Sequence, residues 1–208
     1  MSSPIALMRH GATEWSAAGR YASSTDLSLS SVGRSQASSA ASALAGIPVG
    51  LISSASRRAS ETAQIIGGAV GVERAPEFIE LRELDFGPFE GSSPDENPEL
   101  AEWIVTVPLV VPDGVEDPEE AAGRVLSVLS DQPDTDRPLV VVGHGWALRA
   151  AAAQLLGIGA PRLRQIALEP GHAIVVDRCT PPARLLASNL PPECLADALV
   201  GWNTAKIL

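Results

Sequence analysis

The sequence predicts an α/β protein, a mostly parallel sheet covered by helices on both faces. Three observations carry that expectation. Short, almost wholly apolar runs recur at residues 5–8, 49–53, 139–142 and 173–177, as strands covered on both faces require. Stretches of helical periodicity alternate with them, the pattern of stacked strand–helix units. The 208 residues are 45% hydrophobic and 19% charged, which suits one folded domain spanning residues 1–208 and excludes a disordered chain.

Taken in order, Ile5 to Met8 follows Pro4 and runs straight into Arg9-His10-Gly11, a strand opening into a loop. Ser30 or Ser31 caps a helix to about Leu44, whose Ala37, Ala40, Ala41 and Ala43 allow close packing on a sheet before Gly46 and Pro48 stop it. Val49 to Ser53 reads as a second strand, followed by a helix through Arg58, Thr62, Ile65 and Ile66 that should end at Gly67-Gly68. Asp117-Pro118-Glu119-Glu120 supplies a cap, a proline at the first helical position and two acids in the first turn of a helix to about Leu129. Leu139 to Val142 is a β-branched run ending in Gly143-His144-Gly145, with a helix from Trp146 to Leu156 behind it; Ala173 to Asp177 reads as a further strand. Ligands of such sheets gather beyond the carboxyl ends of the strands, where His10 and His144 both fall.

Charge narrows the function. Fifteen basic against 25 acidic residues leave −10, which argues against nucleic acid or an anionic membrane as partner. Fourteen of the acids, with Arg82 as the single basic residue, lie in residues 77–120, which read either as a solvated acidic insertion or as a lid over an arginine-lined pocket, whose charge should disfavour leaving groups that carry further anions. Lys206 is the single lysine, so there is no GxxxxGK phosphate loop and no ready Schiff-base chemistry. Cys179 and Cys194 make neither a disulfide framework nor a zinc knuckle and read as idle thiols. The opening residues lack the basic start of a signal peptide and no apolar run is long enough to span a bilayer, so a cytoplasmic protein is expected.

The residues just past the strands form a kit for phosphoryl transfer. Arg9 and Arg58 can hold phosphate oxygens bidentately without losing charge. Their charges should depress the pKa of His10 and keep its imidazole neutral and nucleophilic. His144, protonated or donating an N–H, would stabilise the same oxygens, and Glu83, with its pKa raised by burial, would protonate the leaving alkoxide and later take a proton from water. Each piece alone has a plainer reading: a turn histidine, a solvated helix start, one more acid in an acidic stretch.

Together they form an ordered pattern: Leu7-Met8-Arg9-His10-Gly11-Ala12-Thr13-Glu14-Trp15; Asp26-Leu27-Ser28-Leu29 with Gly33 and Gln36-Ala37; Arg58-Ala59 with Thr62-Ala63; Leu81-Arg82-Glu83 with Gly87 and Glu90-Gly91; and Val142-Gly143-His144-Gly145. The chain resembles the histidine phosphatase superfamily, its phosphoglycerate mutase-like branch, from about residue 5 to residue 157. The resemblance implies a three-layer α/β/α sandwich around a mostly parallel sheet with a cap segment, about residues 77–120, over the site, a phosphohistidine at His10, a phosphate pocket from Arg9, Arg58, His144 and Gly145, a proton donor at Glu83, and no metal or other cofactor. It departs from the family at Ser16, where a phosphate-binding Asn is common, so that either the Ser16 hydroxyl substitutes or the pocket is reorganised. It departs also at Ser23, where glycine is common, and at Ala55 and Ser56. Trp146 would pack in the core or wall the pocket, and His172 would be a turn residue or stand at the rim.

The expected activity is metal-independent hydrolysis of a small phosphorylated metabolite. The alternatives are a phosphoglycerate mutase that returns the phosphoryl group to substrate, a phosphoryl-binding protein without turnover, and a metallohydrolase ligated by His10, His144 and Glu83. The tail, residues 181–208 with Trp202-Asn203-Thr204, carries no assignable motif and would pack on the core or join two copies as a homodimer.

Overall fold

The alternation of apolar residues along the strands fixes the layering. In a computed structural model that describes residues 3–105, 111–133, 135–178 and 181–201, six strands form one sheet: β1 (Ile5–Arg9), β2 (Gly50–Ser54), β3 (Glu77–Phe78), β4 (Leu139–Gly143), β5 (Ala173–Asp177) and β6 (Arg184–Leu190). Their order is β3-β2-β4-β1-β5-β6. The first four are mutually parallel; β5 is antiparallel to β1, and β6 to β5. Ile5, Leu7, Ile52, Val141, Ile174 and Val176 face α5 (Pro118–Ser130) and α6 (Gly145–Leu155). Ala6, Met8, Leu51, Val140, Val142 and Val175 face α2 (Ser31–Leu44), α3 (Arg57–Val70) and α7 (Leu195–Val200). Strands with apolar residues at both parities have no solvent face, which is why the sheet must be covered twice.

The expected caps hold. Ser30 Oγ accepts from the Gly33 amide, and Asp117 accepts from Glu119 N ahead of Pro118. One boundary differs: α3 runs through Gly67-Gly68 and stops at Gly71, in the left-handed region at φ 74°. Gly67 is there for contact, since a Cβ on it would stand 2.5 Å from the Val72 carbonyl oxygen.

The tail is also clearer. Residues 184–190 are an edge strand with mostly half-exposed or exposed side chains, so they lack the buried apolar signature that marks β1, β2, β4 and β5 in the sequence, and the two residues of β3 are too few to show one. Leu195 and Leu199 of α7 are buried against the sheet, so this part of the tail packs on the core. Trp202-Asn203-Thr204, Lys206 and Cys179 lie outside the described residues; Cys194 is a free, half-buried thiol.

The segment expected as a cap has its own small core. Leu84, Phe86, Leu100 and Trp103, the last two on α4 (Pro98–Val105), gather with Tyr21 and Ala121. Much of its negative charge has structural partners. Glu116 pairs with Arg124 at 2.8 Å, and Glu90 accepts from the Ser23 amide (2.8 Å), the Ser23 hydroxyl (2.6 Å) and the Thr25 amide (2.9 Å). Among the described residues, no helix is long and apolar enough to cross a membrane.

Candidate active site

Parallel pairing of β1 with β4 sets Arg9 opposite Gly143, so the next residue of each strand falls side by side at the carboxyl end of the sheet. The His10 amide donates to the Gly143 carbonyl at 2.9 Å, and the rings of His10 and His144 lie 5.1 Å apart at 65°. Two residues far apart in sequence thus meet because two strands share a register.

The loop after β1 is clamped onto α2 and α3. A Cβ on Gly11 would sit 2.3 Å from the Gly33 carbonyl oxygen and one on Gly33 2.1 Å from that of Ala12, so neither position admits a side chain. Gln36 Oε1 accepts from the Ala12 amide (2.8 Å). Thr62 Oγ1 accepts from the Gly11 amide (3.1 Å) and donates to the Arg58 carbonyl (2.8 Å). These links explain Gly33, Gln36 and Thr62, which belong to the ordered pattern but had no assigned role.

The hydrogen bonds of His10 define its tautomer. Nδ1 lies 2.7 Å from the Gly11 carbonyl, which can only accept, so Nδ1 carries the proton and Nε2 keeps its lone pair. Nε2 accepts from Arg58 Nε at 3.2 Å. The His10 pKa is held well below 6.5, first by burial and then by the charges of Arg58 and Arg9. The expected arginine effect is present, but loss of solvent is the larger cause.

Arg58, 1% exposed, also donates through Nη1 to the Thr25 carbonyl (3.0 Å) and through Nη2 to those of Ala22 and Ser23 (3.2 Å each). It therefore anchors residues 22–25 while its Nε–H points at the nucleophile. Ser23, at a departure from the family pattern, ties that loop to Glu90. Arg57 faces outward and pairs with Glu61 at 2.9 Å, leaving Arg58 as the inward residue. Arg9 donates from Nη1 to the Leu168 carbonyl (3.1 Å), and its buried Nε has no partner among the described residues. A Cβ on Gly145 would stand 3.2 Å from that Nε, so the glycine makes room for the guanidinium at the start of α6.

His144 is fully buried, with its pKa held well below 6.5 by burial and then, chiefly, by the charges of Arg58 and Arg9. Of the two forms expected for it, the neutral one fits. Its Nε2 meets Ser54 Oγ at 2.9 Å, while its buried Nδ1 has no partner among the described residues. Ser54 Oγ also accepts from the Ser56 amide at 3.3 Å and meets Ser56 Oγ at 3.2 Å; where Ser54 donates to His144 Nε2, the histidine proton resides on Nδ1. Nothing in the sequence marks Ser54 as a site residue; it is there the first residue beyond the Val49–Ser53 run.

Glu83, 6% exposed, caps α6. Its Oε1 accepts from the amides of Leu84 (2.9 Å), Trp146 (3.0 Å) and Ala147 (2.9 Å), and its Oε2 from Trp146 at 3.2 Å. Oε2, with one long contact, is the freer oxygen. Arg124 fixes the strand of chain behind it, donating to the carbonyls of Glu80 and Arg82 (2.6 Å each) and Glu83 (3.0 Å). A cavity of about 340 Å³ reaches Glu83, lined also by Ser23, Thr25, Asp26, Ser56 and Asp85. A larger one, about 850 Å³, opens beside α3 at Ser53, Gln64 and Glu77, and none of its lining residues belongs to the cluster.

Ser16 does not join the cluster. Its hydroxyl closes a capping box at the start of α1 (Glu14–Ala17), donating to the Thr13 carbonyl (3.0 Å) and accepting from the Thr13 amide (2.8 Å). His172 is a turn residue whose carbonyl accepts from the Arg9 amide at 2.9 Å. Trp146 is half-buried, stacked on Trp103 and edge-on to Phe86. Among the described residues no three His, Cys, Asp or Glu side chains could together hold a metal ion, so His10, His144 and Glu83 are not arranged as ligands.

Comparison with known proteins identifies the family. The family model described as the histidine phosphatase superfamily (branch 1) matches residues 5–189. A glucosyl-3-phosphoglycerate phosphatase of Mycolicibacterium vanbaalenii is 34% identical over 171 residues, 74% of each chain. A protein of Escherichia coli named "Probable phosphoglycerate mutase GpmB" is 34% identical over 174 residues, 79% of this chain and 80% of its own. The structure of a mycobacterial glucosyl-3-phosphoglycerate phosphatase in complex with VO3 superposes with a TM-score of 0.80 at 25% identity, covering 91% of this chain and all of that one.

Proposed function

From the premise that the chain belongs to the histidine phosphatase superfamily, branch 1, we propose that it is a metal-independent phosphomonoesterase acting on a small phosphorylated metabolite through a phosphohistidine at His10. The observation that carries this reading is the bare Nε2 of His10, fixed by the Nδ1–H bond to Gly11 and faced by the Arg58 Nε–H. In the first step the Nε2 lone pair forms a bond to phosphorus and the bond from phosphorus to the leaving oxygen breaks. Arg9, Arg58 and the His144 Nδ1–H carry the charge on the equatorial oxygens, and Glu83 delivers a proton from Oε2 to the departing alkoxide. In the second step water attacks phosphorus, its proton passes to Glu83, the N–P bond breaks and His10 returns neutral with release of orthophosphate. Gly145 serves the phosphate site by admitting Arg9, and the Ser16 hydroxyl serves it through the loop that it caps.

The test is release of phosphate from an aryl phosphate by wild type and His10→Ala, in the presence of chelator, with a search for an acid-labile phosphoryl adduct after rapid quenching. Activity and adduct are expected in wild type and absent from the variant. Equal turnover by the two proteins would reject the mechanism. The likeness to proteins named phosphoglycerate mutase supports a second reading, which interconversion of phosphoglycerates without free phosphate would establish in place of hydrolysis.

A further inference from the structure

A second polar pocket lies beside α3, on residues of that helix other than those that serve the catalytic cluster. Ser53 of β2 shares its parity with Leu51 and so points to the α3 side of the sheet. The parallel register sets Glu77 of edge strand β3 against Ser53, which turns both side chains the same way. Across the gap Ser60 Oγ donates to Glu77 Oε1 at 2.5 Å, and Gln64 follows one turn later on α3. The connection from α3 to β3 brings Glu73 and Arg74 to the same space. These six side chains line the cavity of about 850 Å³.

The floor of this cavity lacks a partner. Ser53 is 1% exposed, yet its hydroxyl has no hydrogen bond among the described residues. A buried hydroxyl left unpaired is destabilising, and an alanine would fill the same place beside Leu51 and Val142 without that cost. The groups around it are equally unengaged. Among the described residues the side chains of Gln64, Glu73 and Arg74 enter no hydrogen bond or ion pair, and Glu77 uses one oxygen, on Ser60. The rest of the lining is two alanines, which offers little to an apolar ligand. Two carboxylates and one guanidinium make the pocket net negative by one charge. Its complement is a ligand with one anionic group to fit the guanidinium fork, ammonium donors for the carboxylates, and one positive charge in excess. A basic α-amino acid has that composition, with one carboxylate and two cationic groups.

We propose that this cavity is a binding site for a free basic α-amino acid, separate from the catalytic cluster. Arg74 holds the carboxylate, Glu73 and Glu77 hold the two cationic groups, and the Ser53 hydroxyl gains its missing partner. The site shares β2 and α3 with the cluster, since Ser54, on His144, follows Ser53, and Arg58, on His10, precedes Ser60 by two residues. It uses none of the residues to which the phosphatase reading gives a role.

The experiment is isothermal titration calorimetry of the full chain with L-lysine, cadaverine and L-norleucine, in inorganic phosphate to fill the catalytic pocket. Cadaverine is lysine without its carboxylate, and norleucine is lysine without its side-chain ammonium. Lysine should bind with a Kd below about 1 mM, and the other two about tenfold or more weaker, as loss of a charge-assisted contact implies. Arg74→Met should weaken lysine about tenfold and Ser53→Ala about three- to tenfold, while phosphate release from an aryl phosphate stays at the wild-type rate in both. Unliganded Ser53→Ala should melt no lower than wild type, because the hydroxyl it removes has no bond to lose. A lower Tm would show that the hydroxyl has a partner without any ligand, and would overturn the inference. So would the absence of binding at about 10 mM lysine, equal affinity for the three probes, displacement of lysine by phosphate, or a lysine affinity unchanged in both variants. None of these results bears on the phosphatase reading, which His10→Ala tests by itself.

Discussion

Replacing Ser54 by alanine isolates the role of His144. Ser54 is fully buried and its Oγ stands 2.9 Å from His144 Nε2, so the variant removes one hydroxyl and changes little volume. It leaves a buried ring nitrogen without a partner, and such a loss costs about 1–2 kcal/mol. In the proposed mechanism the loss falls on the tautomer that directs Nδ1–H at the phosphoryl oxygens, which a donor at Nε2 favours. If all of it appears in the barrier, kcat falls roughly 5- to 30-fold. The same loss lowers Tm by roughly 2–8 °C for a chain of this size. The assay is steady-state hydrolysis of an aryl phosphate by wild type, Ser54→Ala and Ser54→Thr, with thermal unfolding of each. Threonine keeps the hydroxyl and should recover most of kcat. A Ser54→Ala enzyme within twofold of wild type in kcat would refute the tautomer argument.

Three further outcomes follow from the same geometry. Gly145→Ala places a Cβ 3.2 Å from Arg9 Nε, so the guanidinium must shift; competitive inhibition by inorganic phosphate should weaken about tenfold, and an unchanged inhibition constant would contradict that placement. Arg124→Met leaves Glu116 and the carbonyls of residues 80, 82 and 83 without their donor, and losing one partner of a largely buried pair should cost about 3 kcal/mol. Differential scanning calorimetry should then read a fall in Tm of roughly 6–12 °C. The pKa values of His10 and His144 are depressed in the folded protein, so between those values and 6.5 the unfolded chain binds more protons. Their stabilising contribution is therefore complete above pH 6.5 and is lost on acidification through that window, with a slope approaching about 2.7 kcal/mol per pH unit if both histidines titrate. Urea denaturation across that range measures it. The acid limb of kcat/KM, set by the need for neutral His10, should likewise lie well below 6.5, and a limb at or above 6.5 would conflict with the burial of the ring.

The alternation of apolar runs with capped helices was enough to read four of the strands and α2, α5 and α6, because burial on both faces and capping chemistry leave marks within a few adjacent residues. The chemistry of Arg9, His10, Arg58, Glu83 and His144 was legible for a related reason: few combinations of side chains suit phosphoryl transfer, and each member follows a recognisable element boundary. Other features depended on contacts between distant segments. Edge strand β6 has no apolar signature; Ser54 gains meaning only where β2 ends beside β4; Arg124 acts on a loop some forty residues earlier. The same limit governs charge: summing residues 77–120 counts fourteen acids but does not tell that Glu90 accepts from Ser23 and Thr25 or that Glu116 pairs with Arg124. Composition fixes how many charges a chain carries, but which of them meet is decided by strand register and helix packing, since electrostatic and hydrogen-bond energies depend on separations of a few ångströms that sequence distance does not encode.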